Sequence, residues 1–325
     1  MPQISFLDDY SEGCHPAILQ TLSQTNLVTQ VAYGDDEYSE QARQLIREHV
    51  GQPDMPVFFV AGGTLANIII IASALKPHEA VISAETGHAV VRETGAIEAT
   101  GHKMITVPST DGKLTPEGVE TALASNAHFP HMAKPRMVYI SNATEAGTVY
   151  SKQEIRALSK LCRDRDLLLL LDGARLGAAL TADGVDLTLS DVAELTDIFW
   201  IGGTKAGALF GEAIVIPNRD LARDFPFHIK QRGALLAKGR LLGIQFVELF
   251  QNDLFFQSAR HANQMARKLS ESISAAGYEF AATTESNQLF TILPDSVIDK
   301  LQKHCLLYTS PSPRDATLSR MPSSA

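Results

Sequence analysis

The sequence predicts an α/β protein: a mostly parallel sheet with helices on both faces, plus a smaller α+β C-terminal domain. Three observations carry this. Short apolar runs alternate with helix-length segments from about Val57 to Ile216. Leu167 to Leu171 is an unbroken leucine run, too continuous for a strand with one wet face and suited to the middle of a parallel sheet. Several apolar runs end abruptly in Gly or Asp, where an open α/β sheet collects its ligands. The same patterns divide the chain into an N-terminal arm over 1–17, a large domain over 18–245, a small domain over 246–303 and a tail over 304–325.

In chain order, the acidic, Gly- and Pro-containing start is irregular, and a helix is expected from about Ala17 to Leu27. Tyr33-Gly34-Asp35-Asp36 reads as a turn and Tyr38 to Val50 as a helix. Val57 to Val60 is a buried-strand candidate, and the apolar helix Leu65 to Leu75 follows Ala61-Gly62-Gly63-Thr64. Strands are then expected at Ala80–Ser83, Lys103–Val107 and Met137–Ser141, with a helix from His88 to Thr100. Thr115-Pro116-Glu117 opens another helix. Ser151 and Glu154 make a capping box for a helix ending at Asp164. After the leucine run come strands at Ile198–Ile201 and Ala213–Ile216, a basic loop at 228–233, and helices from Leu235 to Glu248 and from Phe256 to Ala276. Tyr278–Ala281 and Leu289–Leu293 read as strands and Pro294–Lys303 as a helix. His304 to Ala325 has no periodic apolar pattern. It is expected to lack structure and resembles a translated assembly scar, which would leave the natural chain cut short.

Composition narrows the class. The chain has 325 residues, 45% hydrophobic and 20% charged, which suits a globular protein. No apolar run reaches membrane-spanning length, and no signal-peptide pattern opens the chain. Cys14, Cys162 and Cys305 are too scattered for a metal pair or a disulfide framework, which favours a reducing, cytoplasmic setting. A formal net charge of −9 argues against nucleic acid as a partner.

Four stretches carry chemistry. Gly62-Gly63-Thr64, between a strand and a helix start, is a way to hold a phosphate on unpaired backbone N–H groups, or else a tight turn with Thr64 as N-cap. Asp172-Gly173-Ala174-Arg175 puts a carboxylate at the end of a fully apolar strand. Either Arg175 is its ion-pair partner, or Asp172 holds a protonated ring nitrogen while Arg175 meets a substrate oxygen or carboxylate. Gly202-Gly203-Thr204-Lys205 places a lysine just past a strand end, able to form a Schiff base with an aldehyde or to neutralise a phosphate. His88 offers a flat ring. Together these supply what pyridoxal phosphate requires: a lysine, a carboxylate for the pyridine nitrogen, a phosphate cup and a stacking partner.

The order of these motifs resembles the low-specificity threonine aldolases, within the aromatic amino acid beta-eliminating lyase/threonine aldolase group. The likeness runs from about Phe6 to Lys303. It rests on Tyr33–Asp36, Gly62–Asn67, His88 with Glu93-Thr94-Gly95, Ala143–Tyr150, Asp172–Leu176, Gly202–Gly207 and Ala259–Asn263. The resemblance implies a fold-type I pyridoxal-phosphate enzyme, a homodimer or homotetramer with active sites shared between subunits. It implies Lys205 as the Schiff-base lysine, Asp172 at the ring nitrogen, and Arg175 near the cofactor oxygen or the substrate carboxylate. Gly62, Gly63, Thr64 and Thr204 are expected around the cofactor, His88 stacked on its ring, and His131 near the substrate hydroxyl; no metal is expected. Asp8 stands where the family has a serine near the substrate carboxylate, which would repel it. The tail replaces the segment that carries the family's substrate-carboxylate arginine.

The expected reaction is retro-aldol cleavage of a β-hydroxy amino acid to glycine and an aldehyde, with His88 or His131 as base. β-Elimination from another amino acid uses the same groups, and a pyridoxal-phosphate-binding protein without turnover is the remaining alternative.

Overall fold

The computed structural model describes residue 6, residues 8–303 and the strand 317–320. Its strands are β1 (Val57–Val60), β2 (Glu79–Ala84), β3 (Lys103–Val107), β4 (Lys134–Ser141), β5 (Leu168–Asp172), β6 (Ile198–Gly202), β7 (Glu212–Val215), β8 (Glu279–Phe280), β9 (Gln288–Ile292) and β10 (Thr317–Arg320). Its α-helices are α1 (Pro16–Thr25), α2 (Glu37–Val50), α3 (Gly63–Ala74), α4 (His88–Val91), α5 (Pro116–Ser125), α6 (Lys152–Asp164), α7 (Leu176–Leu180), α8 (Leu189–Leu195), α9 (Phe225–Gln231), α10 (Arg240–Gln251), α11 (Leu254–Ala275) and α12 (Asp295–Lys303).

Seven strands form one sheet in the order β1-β7-β6-β5-β4-β2-β3, antiparallel only where β7 pairs with β1 and β6. The leucine run forms β5 at its centre, buried along its whole length. Helices cover both faces, so two apolar layers enclose the sheet: Leu169, Leu171, Phe199 and Ile201 point into one, and Leu168, Leu170, Ile198 and Trp200 into the other. That alternation is the period-2 geometry of a strand buried on both sides. The capping box is present at Ser151 and Glu154, and α6 turns Ile155, Leu158 and Cys162 inward.

Two glycines bring β5 and β6 together at their exits. A Cβ on Gly173 would lie 1.9 Å from the Trp200 carbonyl oxygen, and one on Gly202 would lie 2.5 Å from that of Ala174. Only glycine permits this approach, and it fixes Asp172 and the Lys205 loop side by side.

Some expectations need correction. The helix expected from His88 to Thr100 stops at Val91, because Thr94 and Gly95 take left-handed backbone conformations with φ of 56° and 74°. The basic loop expected at 228–233 is largely helical, within α9, and the next helix begins at Arg240 rather than Leu235. The short helices α7 and α8 were not expected; five- and seven-residue elements are too short for a periodic signal. Within the span expected to lack structure, Thr317–Arg320 pairs antiparallel with β9, in a sheet ordered β10-β9-β8. A strand there covers an edge of β9 whose backbone groups would otherwise lack partners. The rest of 304–325 lies outside the described residues. No described helix is long and apolar enough to cross a membrane.

Candidate active site

The chemistry-bearing residues gather at the carboxyl ends of β1, β5 and β6. After β1, the N-cap of α3 is Gly62, with extended backbone and no side-chain cap, so Thr64 is not the cap. A Cβ built on Gly62 would meet nothing within 4 Å, whereas one on Gly63 would strike the Trp200 ring at 2.7 Å. The helix start is therefore packed on the protein side and open on the other. Its first N–H groups have no side-chain cap, and with the helix dipole they offer what a phosphate cup requires.

Asp172 ends β5 and is 2% exposed. Arg175 is not its partner. Its carboxylate instead takes hydrogen bonds from three neutral donors. Oδ2 accepts from the Tyr139 hydroxyl and, at 3.1 Å, from Asn67 Nδ2; Oδ1 accepts from the Ala174 N–H at 3.0 Å. Burial pushes this carboxyl above its usual range, while the Tyr139, Ala174 and Asn67 hydrogen bonds and nearby His88 pull the other way. A buried carboxylate held by neutral donors fits the cationic N–H of a pyridine ring.

Asn67 is the bridge. The Trp200 indole N–H donates to its Oδ1 at 3.1 Å, which orients the amide. Its Nδ2 then donates to Asp172 and, at 3.0 Å, to Glu93 Oε1. Glu93, 4% exposed, also meets His88 Nδ1 at 3.0 Å. Burial disfavours the charged imidazole, but the Glu93 hydrogen bond and the fields of Glu145 and Asp172 outweigh it, so the His88 pKa is raised. Tyr139, Asn67 and Trp200 were missed as site residues. Each reads as an ordinary position in a buried strand or apolar helix; only Asn67, a polar residue in the run Leu65–Ile71, gives a sequence signal.

Arg175, 4% exposed, pairs with Asp9 instead, Nε to Oδ2 at 2.6 Å and Nη2 to Oδ1 at 3.0 Å. Asn287 Nδ2 donates to the same Asp9 at 3.1 Å. Burial disfavours the charged guanidinium; Asp9, Glu145 and Tyr10 reverse this and raise its pKa. The Asp8 carboxylate accepts from Tyr10 N–H and the Ser11 hydroxyl, closing a local turn. Asp9, beside it, is the acid that reaches the site.

Lys205 follows β6 in a 3₁₀ turn, with its ammonium 5.6 Å from the centre of the Tyr10 ring. The loop before it rests on Glu212, which was not anticipated. Gly203 N–H donates to Oε2 at 2.9 Å and the Thr204 hydroxyl to Oε1 at 2.8 Å. Thus His88, Asp172, Lys205 and the Gly62–Thr64 cup lie together, with Arg175 following β5.

His131 does not join them within this chain. It is exposed, in the segment between α5 and β4, with its ring 4.8 Å from that of His128. Strand β4 runs from Lys134 beside that segment to Ser141, which pairs with Asp172. Its length of about 23 Å therefore separates His131 from the site.

Comparison with known proteins agrees with this geometry. The sequence profile of the beta-eliminating lyase family matches residues 7–296. A low-specificity L-threonine aldolase of Pseudomonas aeruginosa is 35% identical over 298 residues, 91% of this chain and 85% of that protein. The structure of a threonine aldolase of Leishmania major superposes with a TM-score of 0.96 at 46% identity, covering 99% of this chain and 94% of that one. A mutant aspartate aminotransferase of Thermus thermophilus, 14% identical with a TM-score of 0.75 over 99% of this chain and 87% of its own, shares the fold. The chain belongs to the beta-eliminating lyase family and is a pyridoxal-phosphate-dependent lyase.

Proposed function

We propose that this member of the beta-eliminating lyase family cleaves the Cα–Cβ bond of a β-hydroxy amino acid of the threonine or allo-threonine type, releasing glycine and an aldehyde. The observation that carries the reading is His88. A histidine locked onto a buried glutamate, beside Asp172 and Lys205, is the base a retro-aldol cleavage needs and a plain cofactor-binding protein does not.

When bound, pyridoxal phosphate supplies an electron-poor ring that accepts the electron pair left on Cα. Lys205 is the amine that would carry it. Asp172 would keep its ring nitrogen protonated, and the Gly62-Gly63-Thr64 backbone and the Thr204 hydroxyl would hold its phosphate. His88 gives its Nδ1–H to Glu93, which leaves Nε2 as the acceptor for the substrate β-hydroxyl proton. Its neutral form is the working one, so kcat/KM should rise as pH passes the raised His88 pKa. Arg175 spends two of its N–H groups on Asp9 and would turn the others to the substrate carboxylate.

A second copy of the chain is proposed as the partner. Leu27 is 93% exposed, and Val28, Val31, Tyr33 and Phe227 are also exposed, large apolar side chains that a homodimer or homotetramer would bury. Free Cys14 and Cys162 suit a cytoplasmic setting. The arm, large domain and small domain are proposed with the boundaries expected from the sequence. Product analysis tests the reaction: threonine should yield acetaldehyde and glycine in equal amounts. Ammonia with a keto acid would instead mark β-elimination, and no consumption would mark a protein that binds the cofactor without turnover.

A further inference from the structure

Glu212 is a buried acid that the proposed reaction does not use. It sits on β7 where Val60 of β1 pairs on one side and Gly202 of β6 on the other. Those two strands lead into the phosphate cup and the lysine loop, so Glu212 lies between the halves of the cofactor site. The Thr204 hydroxyl is held from two sides: it donates to Glu212 Oε1 at 2.8 Å and accepts the Gly211 N–H at 3.1 Å. A hydroxyl has one proton to give. While that proton points at Glu212, Thr204 has none to offer an anion in the cup.

We propose that Glu212 is a positioning residue whose protonation sets the direction of the Thr204 hydroxyl, and with it the grip on the cofactor phosphate. With Glu212 ionised, Thr204 donates inward. With a proton on Oε1, Glu212 donates to the second lone pair of Thr204 Oγ1, while Oε2 still accepts from Gly203. The Thr204 proton then swings to the cup. One proton taken from solvent balances the change. The charged groups acting on Glu212 are Lys205, which favours its ionised form, and Asp172, which opposes it; with burial the largest influence, its pKa is raised to about 7. A bound phosphate adds negative charge and favours the protonated form, so cofactor binding should take up a proton.

The inference rests on the reading of Thr204 as part of the cup. The test measures the dissociation constant of pyridoxal phosphate for the apoprotein by equilibrium dialysis, for the unaltered protein, Glu212→Gln and Thr204→Val. Circular dichroism checks that each folds. The glutamine amide imitates the protonated acid: its carbonyl accepts from Gly203 and its NH₂ donates to Thr204. Taking the ratio of the unaltered protein to Glu212→Gln cancels the ionisation of the cofactor and of other groups. The ratio should lie near unity at about pH 5.5 and reach about 10-fold weaker binding by the unaltered protein at about pH 8.5, the size of one hydrogen bond to a charged group. Thr204→Val should bind more weakly, and the pH-dependent ratio should vanish when it is combined with Glu212→Gln. A flat ratio, or weaker binding by Glu212→Gln at every pH, overturns the role of the carboxyl. Thr204→Val binding as well as the unaltered protein overturns the inference at the cup instead. If Glu212→Gln does not fold, the unaltered protein must still lose affinity with rising pH more steeply than Thr204→Val; equal slopes overturn the proposal.

Discussion

His88, at the carboxyl end of the seven-stranded sheet, and His131, at its amino end, are held differently. At the carboxyl end His88 meets Glu93, a glutamate that Asn67 ties to Asp172. At the amino end His131 is exposed and touches another exposed histidine, His128. Residue type is the same; what differs is which backbone ends converge. At the carboxyl end, helix N-termini and loops point their N–H groups inward and bury acids, so a side chain there acquires a fixed partner and a perturbed pKa. At the amino end the His131 ring has the exposed His128 ring beside it, whereas His102, at the same end, is buried with Nδ1 3.3 Å from the Glu79 carbonyl oxygen.

The largest effect should come from Lys205→Ala, which removes the amine proposed to carry the cofactor. Turnover of threonine, followed by aldehyde release, should fall at least about 10⁴-fold. Retention of more than a hundredth of the activity would detach Lys205 from the site. Asp172→Asn should come next. The amide cannot keep the ring nitrogen protonated, so kcat should fall by about 10²–10³-fold while the cofactor still binds. Near-normal glycine release by this variant would return Asp172 to a structural role.

Glu93→Gln should cost about 10-fold in kcat/KM, because the imidazole keeps a neighbour but loses its charge partner. Glu93 raises the His88 pKa, so its loss should move the rise in kcat/KM to lower pH, and NMR titration of the ring should shift the same way. A pH profile that stays in place would break the pairing that distinguishes the two ends. The smallest effect belongs to His131→Ala, which should change kcat/KM by less than about 3-fold, against a loss of about 10²-fold or more for His88→Ala. Similar losses in the two variants would refute the comparison, and would bring His131 to the site from another subunit.

The sheet was legible because its signals are local. A leucine run, a capping box and glycines at strand ends each depend on a few adjacent residues, and the parallel architecture follows from their alternation. The placement of Lys205, Asp172 and Gly62–Thr64 at strand exits was legible for the same reason, since each sits at the end of such a run. The supporting groups were not. Asn67 reaches Asp172 across 105 residues and Asp9 reaches Arg175 across 166, and no spacing rule spans such separations. The ion-pair alternative for Arg175 and Asp172 followed from their closeness in sequence, but the turn after β5 sends the two side chains to different partners. Tyr139 and Trp200 were hidden because an aromatic in a buried strand looks like packing until its polar atom finds a bond. Glu212 was hidden because one acid at a strand start has no pattern at all.

In the proposed site β6 delivers Lys205 to a cofactor held between the Gly62–Thr64 cup and Asp172. Reduction of the reconstituted protein with borohydride, followed by peptide mass mapping, tests it directly. One phosphopyridoxyl adduct is expected, on the peptide containing Lys205. An adduct on a different lysine, or none after reconstitution, would contradict it.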